Sequence, residues 1–328
     1  MNELSSDYER LEFCMGARFT VLASGSSGNA AIFETDQARF LLDGGLTGRE
    51  LGARMEQVGL NWTQIHGMLL THTHSDHWND GAFGRLLKNR ATLFCHVAHR
   101  DRLMKYSRVF PLLHGEGLVR EYQNDDLLTL APGVSCRPIA VRHDSGPTFG
   151  FRLEALCGLF GEAIAMGYAS DLGCWDDVIA SSLANVDVLA IEHNHDVKLQ
   201  LRSRRPRRLI HRCLGNEGHL SNLQAAALVK AVLQKSDSDR LKCVVALHLS
   251  QECNRPSLAS ATTRHVLTAM NSDARILTAS QDLVTTPVHL GEAKPKRRRA
   301  NRRSGGARRR KHNDHPRLPG FGPDEMSA

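Results

Sequence analysis

The stretch that most constrains the fold, residues 68–77, reads MLLTHTHSDH. Its first three residues are apolar and predict a buried strand. Residues 72–77 then bring together three imidazoles and one carboxylate, those of His72, His74, Asp76 and His77. Imidazole nitrogen and carboxylate oxygen are ligands that proteins use for Zn²⁺ and Mn²⁺. Because this polar run directly follows a buried strand, we interpret it as a metal-binding loop and not as an exposed polar loop.

The spacing within this loop indicates two metal ions. His72 and His74 stand at positions i and i+2, so both side chains point to the same side of an extended segment. Asp76 and His77 come afterwards, where the chain must turn. One pair would therefore serve each of two neighbouring divalent ions. Such ligands suit Zn²⁺, Mn²⁺ and Fe²⁺ alike, so the sequence leaves the identity of the metal open.

The bulk composition is that of a globular protein. Of 328 residues, 41% are hydrophobic and 23% are charged, which fits one large domain or two ordinary ones. No run of about 18 apolar residues predicts a membrane span, and the polar N-terminus does not resemble a secretory signal. The eight cysteines are scattered without a Cys-x-x-Cys pair, which is typical of reduced thiols. These features predict a cytoplasmic protein that does not associate with membranes.

The positive net charge of +7 belongs to the C-terminus. Residues 293–328 hold 12 of the 42 lysines and arginines but only 3 of the 35 acidic residues. The remainder is slightly acidic, with 30 basic and 32 acidic residues. A segment of this composition buries too little apolar surface to fold, so we expect a disordered tail. Its functional interpretation is an arm that binds polyanions such as nucleic acid; the alternative is a solubilising tail.

Short apolar runs alternate with helical patterns along the rest of the chain, which predicts central sheets with helices outside. We expect strands near 19–23, 30–34, 39–42, 67–70, 92–96, 135–142, 148–154, 163–169, 188–192, 243–247 and 274–277. We expect helices near 48–58, 80–90, 98–105, 175–184, 222–234 and 257–270. Thr47 and Glu50 would form a capping box for the first helix, and Ser221 would cap the fifth.

Further candidate ligands directly follow predicted strands. His143, Asp171 and His248 each come after an apolar run, where the end of a strand would meet a cleft. Taken singly, each is more often a loop residue that bonds to backbone. Together with the histidine loop they complete a set of seven. His72, His74 and His143 would hold one ion. Asp76, His77 and His248 would hold the other, with Asp171 between the two.

These residues carry a family resemblance. The histidine loop, the later His143, Asp171 and His248, and the earlier Asp43 resemble, in order and spacing, the five motifs of the metallo-β-lactamase superfamily. The resemblance covers residues 18–280. It implies an α+β fold, a four-layer αβ/βα sandwich with the metals at one edge of two sheets. It also implies that Asp43 orients the histidine loop from behind the ligands. We therefore divide the chain into an N-terminal extension (1–17), a hydrolase domain (18–288) and the basic tail (289–328).

Four shorter motifs resemble the YycJ/WalJ group within that superfamily. They are VLASGSSGN (21–29), EHNHD (192–196), GHLSN (218–222) and HLSQECN (248–254). The group's members are regarded as metal-dependent nucleases, with 5′→3′ exonuclease action on DNA. Gln251 and Cys253 depart from the pattern, as do the basic segment 202–212 and the tail. None of these departures touches a candidate ligand, so they bear on substrate choice.

The implied reaction is hydrolysis of a phosphodiester by a hydroxide that bridges two metal ions, with Asp76 among the catalytic ligands. No Ser or Cys has the setting of a nucleophile elbow. His219 is our candidate for the acid that protonates the leaving group or contacts the phosphate, and His195 has a weaker claim to the same role. The alternative is that both are structural histidines. We expect His193 to be exposed to solvent.

Substrate contacts are predicted at two places. The turn Ser26-Ser27-Gly28-Asn29 could offer backbone N–H groups to an anion, or it could be an ordinary tight turn. Asn194, Arg205 and Arg208 lie in or between two of the group-specific motifs and would contact phosphates, although the segment could also be a solvated basic loop. Aromatic residues are too sparse to signal base stacking, so contacts should be mainly to phosphates.

Three classes of function remain open at this point. The first is a DNA nuclease. The second keeps the fold and metals but acts on a small phosphodiester, a lactone or a thioester, or on RNA in the manner of RNase Z. The third is a nucleic-acid-binding protein without activity, which the intact set of ligands argues against.

Overall fold

A computed structural model of the chain describes residues 16–157 and 162–291. The predicted N-terminal extension lies outside the described residues up to position 15, and so does the tail from position 292. Residues 289 and 290 belong to the last strand, because they pair with the first strand of the domain. The tail therefore starts later than the sequence predicts.

The described residues contain fourteen strands. In chain order they are β1 Ala17–Ala23, β2 Ala30–Thr35, β3 Arg39–Leu42, β4 Gly67–Leu69, β5 Thr92–His96, β6 Val119–Tyr122, β7 Leu128–Ala131, β8 Val134–Val141, β9 Thr148–Cys157, β10 Glu162–Ala169, β11 Val188–Glu192, β12 Cys243–Leu247, β13 Arg275–Thr278 and β14 Val288–Leu290.

Nine α-helices lie between these strands in the described part of the chain. They are α1 Gly48–Glu56, α2 Asp80–Asn89, α3 Arg100–Tyr106, α4 Phe110–Gly115, α5 Asp177–Ser182, α6 Val197–Arg202, α7 Arg207–Leu214, α8 Asn222–Lys235 and α9 Pro256–Ala269. None of them is both long and apolar enough to cross a membrane.

The strands form two seven-stranded sheets. The order in the first is β14-β1-β2-β3-β4-β5-β6, and in the second β13-β12-β11-β10-β9-β8-β7. In each sheet four neighbouring strands are parallel, β3 to β6 in the first and β10 to β13 in the second. The carboxyl ends of parallel strands share one edge of a sheet, so the loops that follow them meet there. Loops after β4, β10 and β12 carry six of the seven candidate ligands, and His143 follows β8.

The core consists of three apolar layers that follow from the alternation of side chains along a strand. In β11, Val188 and Ala190 face the layer between the two sheets, whereas Leu189 and Ile191 face the helices that cover the second sheet. A separate layer beneath α1 and α2 covers the first sheet. Strands buried on both faces are continuously apolar. The predicted four-layer α+β sandwich is therefore confirmed.

Helix capping agrees with the sequence in part. Thr47 caps α1 by accepting a hydrogen bond from the backbone of Glu50. The second half of the predicted capping box is wrong, because the Glu50 carboxylate pairs with Arg54 at 2.8 Å. Ser221 caps α8 as predicted, and Gln224 completes a reciprocal box there.

Helix α7 is the largest departure from the predicted elements. It overlaps the basic segment 202–212, for which the sequence analysis predicted no helix, and Ile210 and Cys213 anchor it to the core. Two apolar residues three positions apart were too weak a signal among so many arginines. Strands β6, β7 and β14 and helices α4 and α6 are further elements that the sequence analysis did not predict.

Candidate metal centre

The histidine loop follows β4 and is held from both sheets. Thr71 accepts a backbone hydrogen bond from Phe149 of the second sheet at 3.0 Å. Asn29 of the first sheet donates its backbone N–H to the carbonyl of Asp76 at 2.7 Å. Gly45 makes this packing possible, because a Cβ at that position would lie 1.8 Å from the same carbonyl oxygen. The loop is thus a fixed part of the sandwich edge.

The structure brings His72, His74 and His143 into one group. Their ring centroids form a nearly equilateral triangle with sides of 4.9, 5.1 and 5.2 Å, and the rings are steeply inclined to one another. The Nδ1 atom of His143 faces the carbonyl oxygen of Gly218 at 2.9 Å, and that of His72 faces the Thr71 hydroxyl at 3.0 Å. The Nε2 atoms of these two rings are therefore the ones available for a shared cation.

A second group lies beside the first. The Nε2 atom of His77 is 3.5 Å from Oδ2 of Asp76 and 3.0 Å from Oδ2 of Asp171. The Nε2 atom of His248 is 3.9 Å from Oδ2 of Asp76. The other oxygen of Asp171 is 3.7 Å from Nε2 of His143, so this carboxylate lies between the two groups. All seven residues predicted as ligands therefore form one cluster.

The cluster suits a divalent metal. His72 Nε2 and His248 Nε2 are buried and have no hydrogen-bond partner among the described residues. Buried polar atoms without partners are costly and rare in folded proteins. Divalent cations would bond to these two atoms and to the Asp171 carboxylate between the groups, since imidazole nitrogen and carboxylate oxygen are their preferred ligands. The chemistry of the donor atoms therefore fits the metal that the sequence predicts.

Asp43 lies behind the histidine loop and is fully buried. One of its oxygens accepts from the backbone N–H of Thr71 at 2.9 Å, and the other is 2.8 Å from Nδ1 of His77. Burial by itself would lower the pKa of His77, but the carboxylates of Asp43, Asp171 and Asp76 outweigh it and raise that pKa well above its ordinary value. Asp43 has a positive φ of 63°, a strained conformation that is often found at functional sites.

Glu192 is a site residue that the sequence analysis missed. It is fully buried at the end of β11, and its Oε1 atom lies 2.8 Å from Nδ1 of both His219 and His248. Its Oε2 atom accepts from the backbone N–H groups of Leu172 and Leu220. These four bonds satisfy the carboxylate without a metal. A signal existed, because Glu192 ends an apolar strand as Asp171 and His248 follow theirs.

His219 is close to the cluster, as the sequence predicts, and its side chain is 13% exposed. Its Nδ1 atom faces Glu192 at 2.8 Å and lies 3.6 Å from Asp171. A ring held at Nδ1 by a carboxylate keeps Nε2 for another partner. His219 is therefore placed to meet a substrate beside the second group of ligands.

The neighbouring motif residues are more deeply buried than we expected. His193 has no exposed surface, and its Nε2 atom lies 2.7 Å from the Thr263 hydroxyl. The prediction that His193 is exposed to solvent is wrong. The ring of His195 is also fully buried, and neither of its nitrogens has a hydrogen-bond partner among the described residues. Asn194 is 4% exposed and donates from its side chain to the carbonyl of His248. Because they are buried, His195 and Asn194 have no surface that is open to a substrate.

The turn at 26–29 is built into the site and is not open to an anion. The backbone N–H of Ser27 donates to Gln281, and that of Gly28 donates to Gly25. The amide of Asn29 donates to Oδ2 of Asp76 at 3.3 Å. These partners argue against the predicted phosphate contacts of Ser27, Gly28 and Asn29. Among the four residues of the turn, Ser26 and Ser27 have exposed side chains.

The two predicted arginine contacts differ from each other. Arg205 pairs with Glu252 at 2.7 Å and also donates to the Ser250 hydroxyl. Arg208 is exposed on α7 and makes no ion pair within the described part of the chain. A third residue of this segment, Arg212, pairs with Asp144 next to His143. The basic segment therefore reaches the cluster of predicted ligands through Arg212, which was not among the predicted substrate contacts.

Two sheets that carry a cluster of imidazoles and carboxylates at one edge define a class of metal-dependent hydrolases. The chain belongs to the metallo-β-lactamase superfamily: the family model described as "Beta-lactamase superfamily domain" matches residues 38–238. This membership confirms the resemblance and the class of enzyme that the sequence analysis predicts.

Relatives with described activities extend the comparison. The chain is 27% identical over 260 residues to exodeoxyribonuclease YycJ of Bacillus anthracis, covering 77% of this chain and 90% of that protein. It is 29% identical over 254 residues to exodeoxyribonuclease WalJ of Streptococcus pneumoniae, covering 76% and 87%. The solved structure of the metallo-β-lactamase fold protein YhfI from Bacillus subtilis superposes with a TM-score of 0.58 at 15% identity, covering 82% of this chain and 98% of that one.

Proposed function

We propose that this enzyme is a nuclease that hydrolyses phosphodiester bonds of DNA, acting as a 5′→3′ exonuclease with two divalent ions. The observation that carries the proposal is the pair of adjoining ligand groups that share Asp171. The similarity to two exodeoxyribonucleases over most of the chain supports DNA as the substrate.

We assign His72, His74 and His143 to one ion and Asp76, His77 and His248 to the other, with Asp171 reaching both. Zn²⁺ and Mn²⁺ are the first candidates, and Fe²⁺ suits the same donors. When bound, two such ions activate water as the nucleophile and neutralise charge on the phosphate oxygens. The side chains of the protein fix where those ions and the substrate would stand.

Hydrolysis of the phosphodiester consumes one water molecule. The water gives up one proton to solvent and its oxygen bonds to phosphorus, while the bond to the leaving oxygen breaks and that oxygen takes a proton. His219 donates this proton from Nε2 in our proposal, since Glu192 holds the opposite ring nitrogen. Glu192 and Asp43 are positioning residues that orient imidazoles through their Nδ1 atoms. We assign Asn194 and Asn29 to positioning as well, because their side chains donate to His248 and Asp76, whereas the buried His195 has no such contact.

Contacts to the DNA backbone would come from arginines on the α6–α7 segment. Arg202, Arg204, Arg207 and Arg208 are exposed there and make no ion pair within the described residues. Such contacts neutralise phosphates without reading bases. The basic tail would add a further polyanion-binding arm. We further propose that the enzyme acts in the cytoplasm, because its scattered cysteines are typical of reduced thiols.

The substrate class is tested by offering four substrates to the purified full chain with Mn²⁺ or Zn²⁺. Three are end-labelled nucleic acids, namely duplex DNA, single-stranded DNA and RNA, and the fourth is a chromogenic phosphodiester. Release of nucleotides from the 5′ end of DNA is the expected result. Cleavage of the small ester alone would make the enzyme a small-molecule phosphodiesterase, and preference for RNA would make it a processing ribonuclease.

Deletion of residues 293–328 tests the arm. The variant should bind DNA more weakly and with a shallower dependence on salt, since fewer phosphates are neutralised. Turnover of the chromogenic ester should match that of the full chain. An unchanged salt dependence would leave the tail without a role in binding.

A further inference from the structure

A cavity of about 440 Å³ opens beside the cluster of predicted metal ligands. Its lining includes two predicted ligands, His74 and Asp76, so the cavity is continuous with the site of the reaction. Arg102 and Tyr106 of α3 and the guanidinium-bearing Arg212 also line it. Pockets that hold small ligands have volumes of about 300–1,000 Å³, which includes the size needed for one nucleotide.

Tyr106 gives this cavity an aromatic surface. Its side chain is 60% exposed, whereas the other two tyrosines in the described residues, Tyr122 and Tyr168, are buried. The guanidinium carbon of Arg102 lies 5.7 Å from the centre of the Tyr106 ring, and Nζ of Lys105 lies 5.1 Å from it. Both cations are carried on flexible side chains, so a nucleobase can replace one of them on the ring. The displaced cation then remains beside the sugar-phosphate backbone.

Trp78 forms a rigid part of the cavity lining. Trp78 directly follows the last histidine of the loop, and its indole N–H donates to the carbonyl of Thr73 at 3.1 Å. The indole also stacks on Phe83, with centroids 5.6 Å apart and planes inclined by 15°. This part of the lining is therefore fixed relative to the predicted ligands.

We propose that this cavity binds one unpaired nucleotide next to the scissile phosphate, with its base stacked on Tyr106 and its phosphate held by Arg102. Arg102 makes no ion pair among the described residues, so its charge is available to an anion. The inference rests on the proposed nuclease function and deepens it, because a cavity of this volume suits one nucleotide and not a base pair, so that a base enters it after leaving the duplex. The preferred substrate is thus a single-stranded or frayed DNA end.

A double-mutant cycle between the protein and the substrate tests the stacking. Wild-type and Tyr106→Ala enzymes are compared on single-stranded DNA that is intact or carries one abasic site at the first, second or third nucleotide. Stacking of one base is worth about 10-fold or more in binding. We expect each single change to raise KM by that factor at one of the three positions, and the double change to add nothing. Tyr106→Phe should retain wild-type behaviour because its ring still stacks.

The outcomes separate the two hypotheses. If the wild-type enzyme cleaves DNA but the two losses multiply at every position, the nucleotide site is refuted and the nuclease function stands. If the wild-type enzyme cleaves no DNA, both fall together. Equal rates on blunt duplex and single-stranded ends would also overturn the inference.

Arg102→Ala examines the phosphate contact separately. This variant should raise KM for DNA and make the salt dependence shallower, while kcat stays near the wild-type value. Arg264→Ala is the matched control, since Arg264 is an exposed arginine of α9 that does not line the cavity. Equal effects of the two substitutions would refute a specific contact by Arg102.

Discussion

The two sheets contribute to the candidate metal centre in different ways. The first sheet supplies four predicted ligands within residues 72–77, from a single loop. The second sheet supplies His143, Asp171 and His248 from three separate strand ends. The same donor chemistry is thus local on one side and dispersed on the other. A local motif is specified by neighbouring residues, whereas a dispersed one requires the whole sheet to form first.

Behind the ligands that each sheet supplies lies one fully buried carboxylate, and the two carboxylates have different partners. Asp43 serves a single imidazole, that of His77. Glu192 serves two, those of His248 and His219, so it links a predicted ligand to the predicted proton donor. In our proposal, the second sheet therefore links a metal ligand to the proton donor through Glu192, whereas the first sheet has no such link.

The largest expected effect comes from removing one ligand in each half. His77→Ala and His248→Ala should each lower turnover by at least about 10³-fold, because several kcal/mol of charge stabilisation would be lost. Metal analysis of the purified variants should show less bound metal per chain. The exposed His211→Ala is the control and should behave as wild type. Full activity in either ligand variant would contradict our assignment.

A smaller effect is expected from the two backing carboxylates. Asp43→Asn and Glu192→Gln should each lower activity by about 10- to 100-fold, since they orient ligands without touching the metal. The loss in Glu192→Gln should grow as the leaving group becomes more basic, because His219 would no longer be oriented as the acid. The measurement is kcat on a series of aryl phosphodiesters. The same leaving-group dependence in both variants would show that the two halves are not different.

The smallest effect concerns the pH dependence of stability and is expected from His193, which follows β11 of the second sheet. Burial lowers the pKa of His193 to about 4, below its ordinary value of 6.5. The unfolded chain therefore binds a proton between these values that the folded chain does not. The contribution of His193 to the free energy of unfolding is fully present above pH 6.5. It decreases as the pH drops toward 4, by about 1 kcal/mol between pH 7 and pH 5.5.

Urea unfolding of wild type and His193→Gln at these two pH values measures this contribution. The variant is expected to be less stable at pH 7, because it disturbs the contact with Thr263, and to lose less stability on acidification. A pH dependence equal to that of the wild type would mean that His193 is not the group that takes up a proton on unfolding.

Much of the fold could be predicted because it is encoded in alternation and capping. The strands β11 and β12 and the helix α8 begin and end within a residue or two of the expected positions. The elements that were missed, such as β6 and α7, are short or rich in charged residues. Contacts with distant segments stabilise them, so their local patterns are weak.

The sequence alone determined the ligand chemistry of the histidine loop, because six adjacent residues carry it, and the layered fold, because burial on both faces of a strand imposes a continuous apolar run. Only the tertiary structure decided that Glu192 joins two imidazoles. It also decided that the Asn29 side chain donates a hydrogen bond to Asp76 and that Tyr106 lines the cavity beside the site. These roles depend on distances between residues that are far apart in the chain, and those distances exist only after the two sheets have packed.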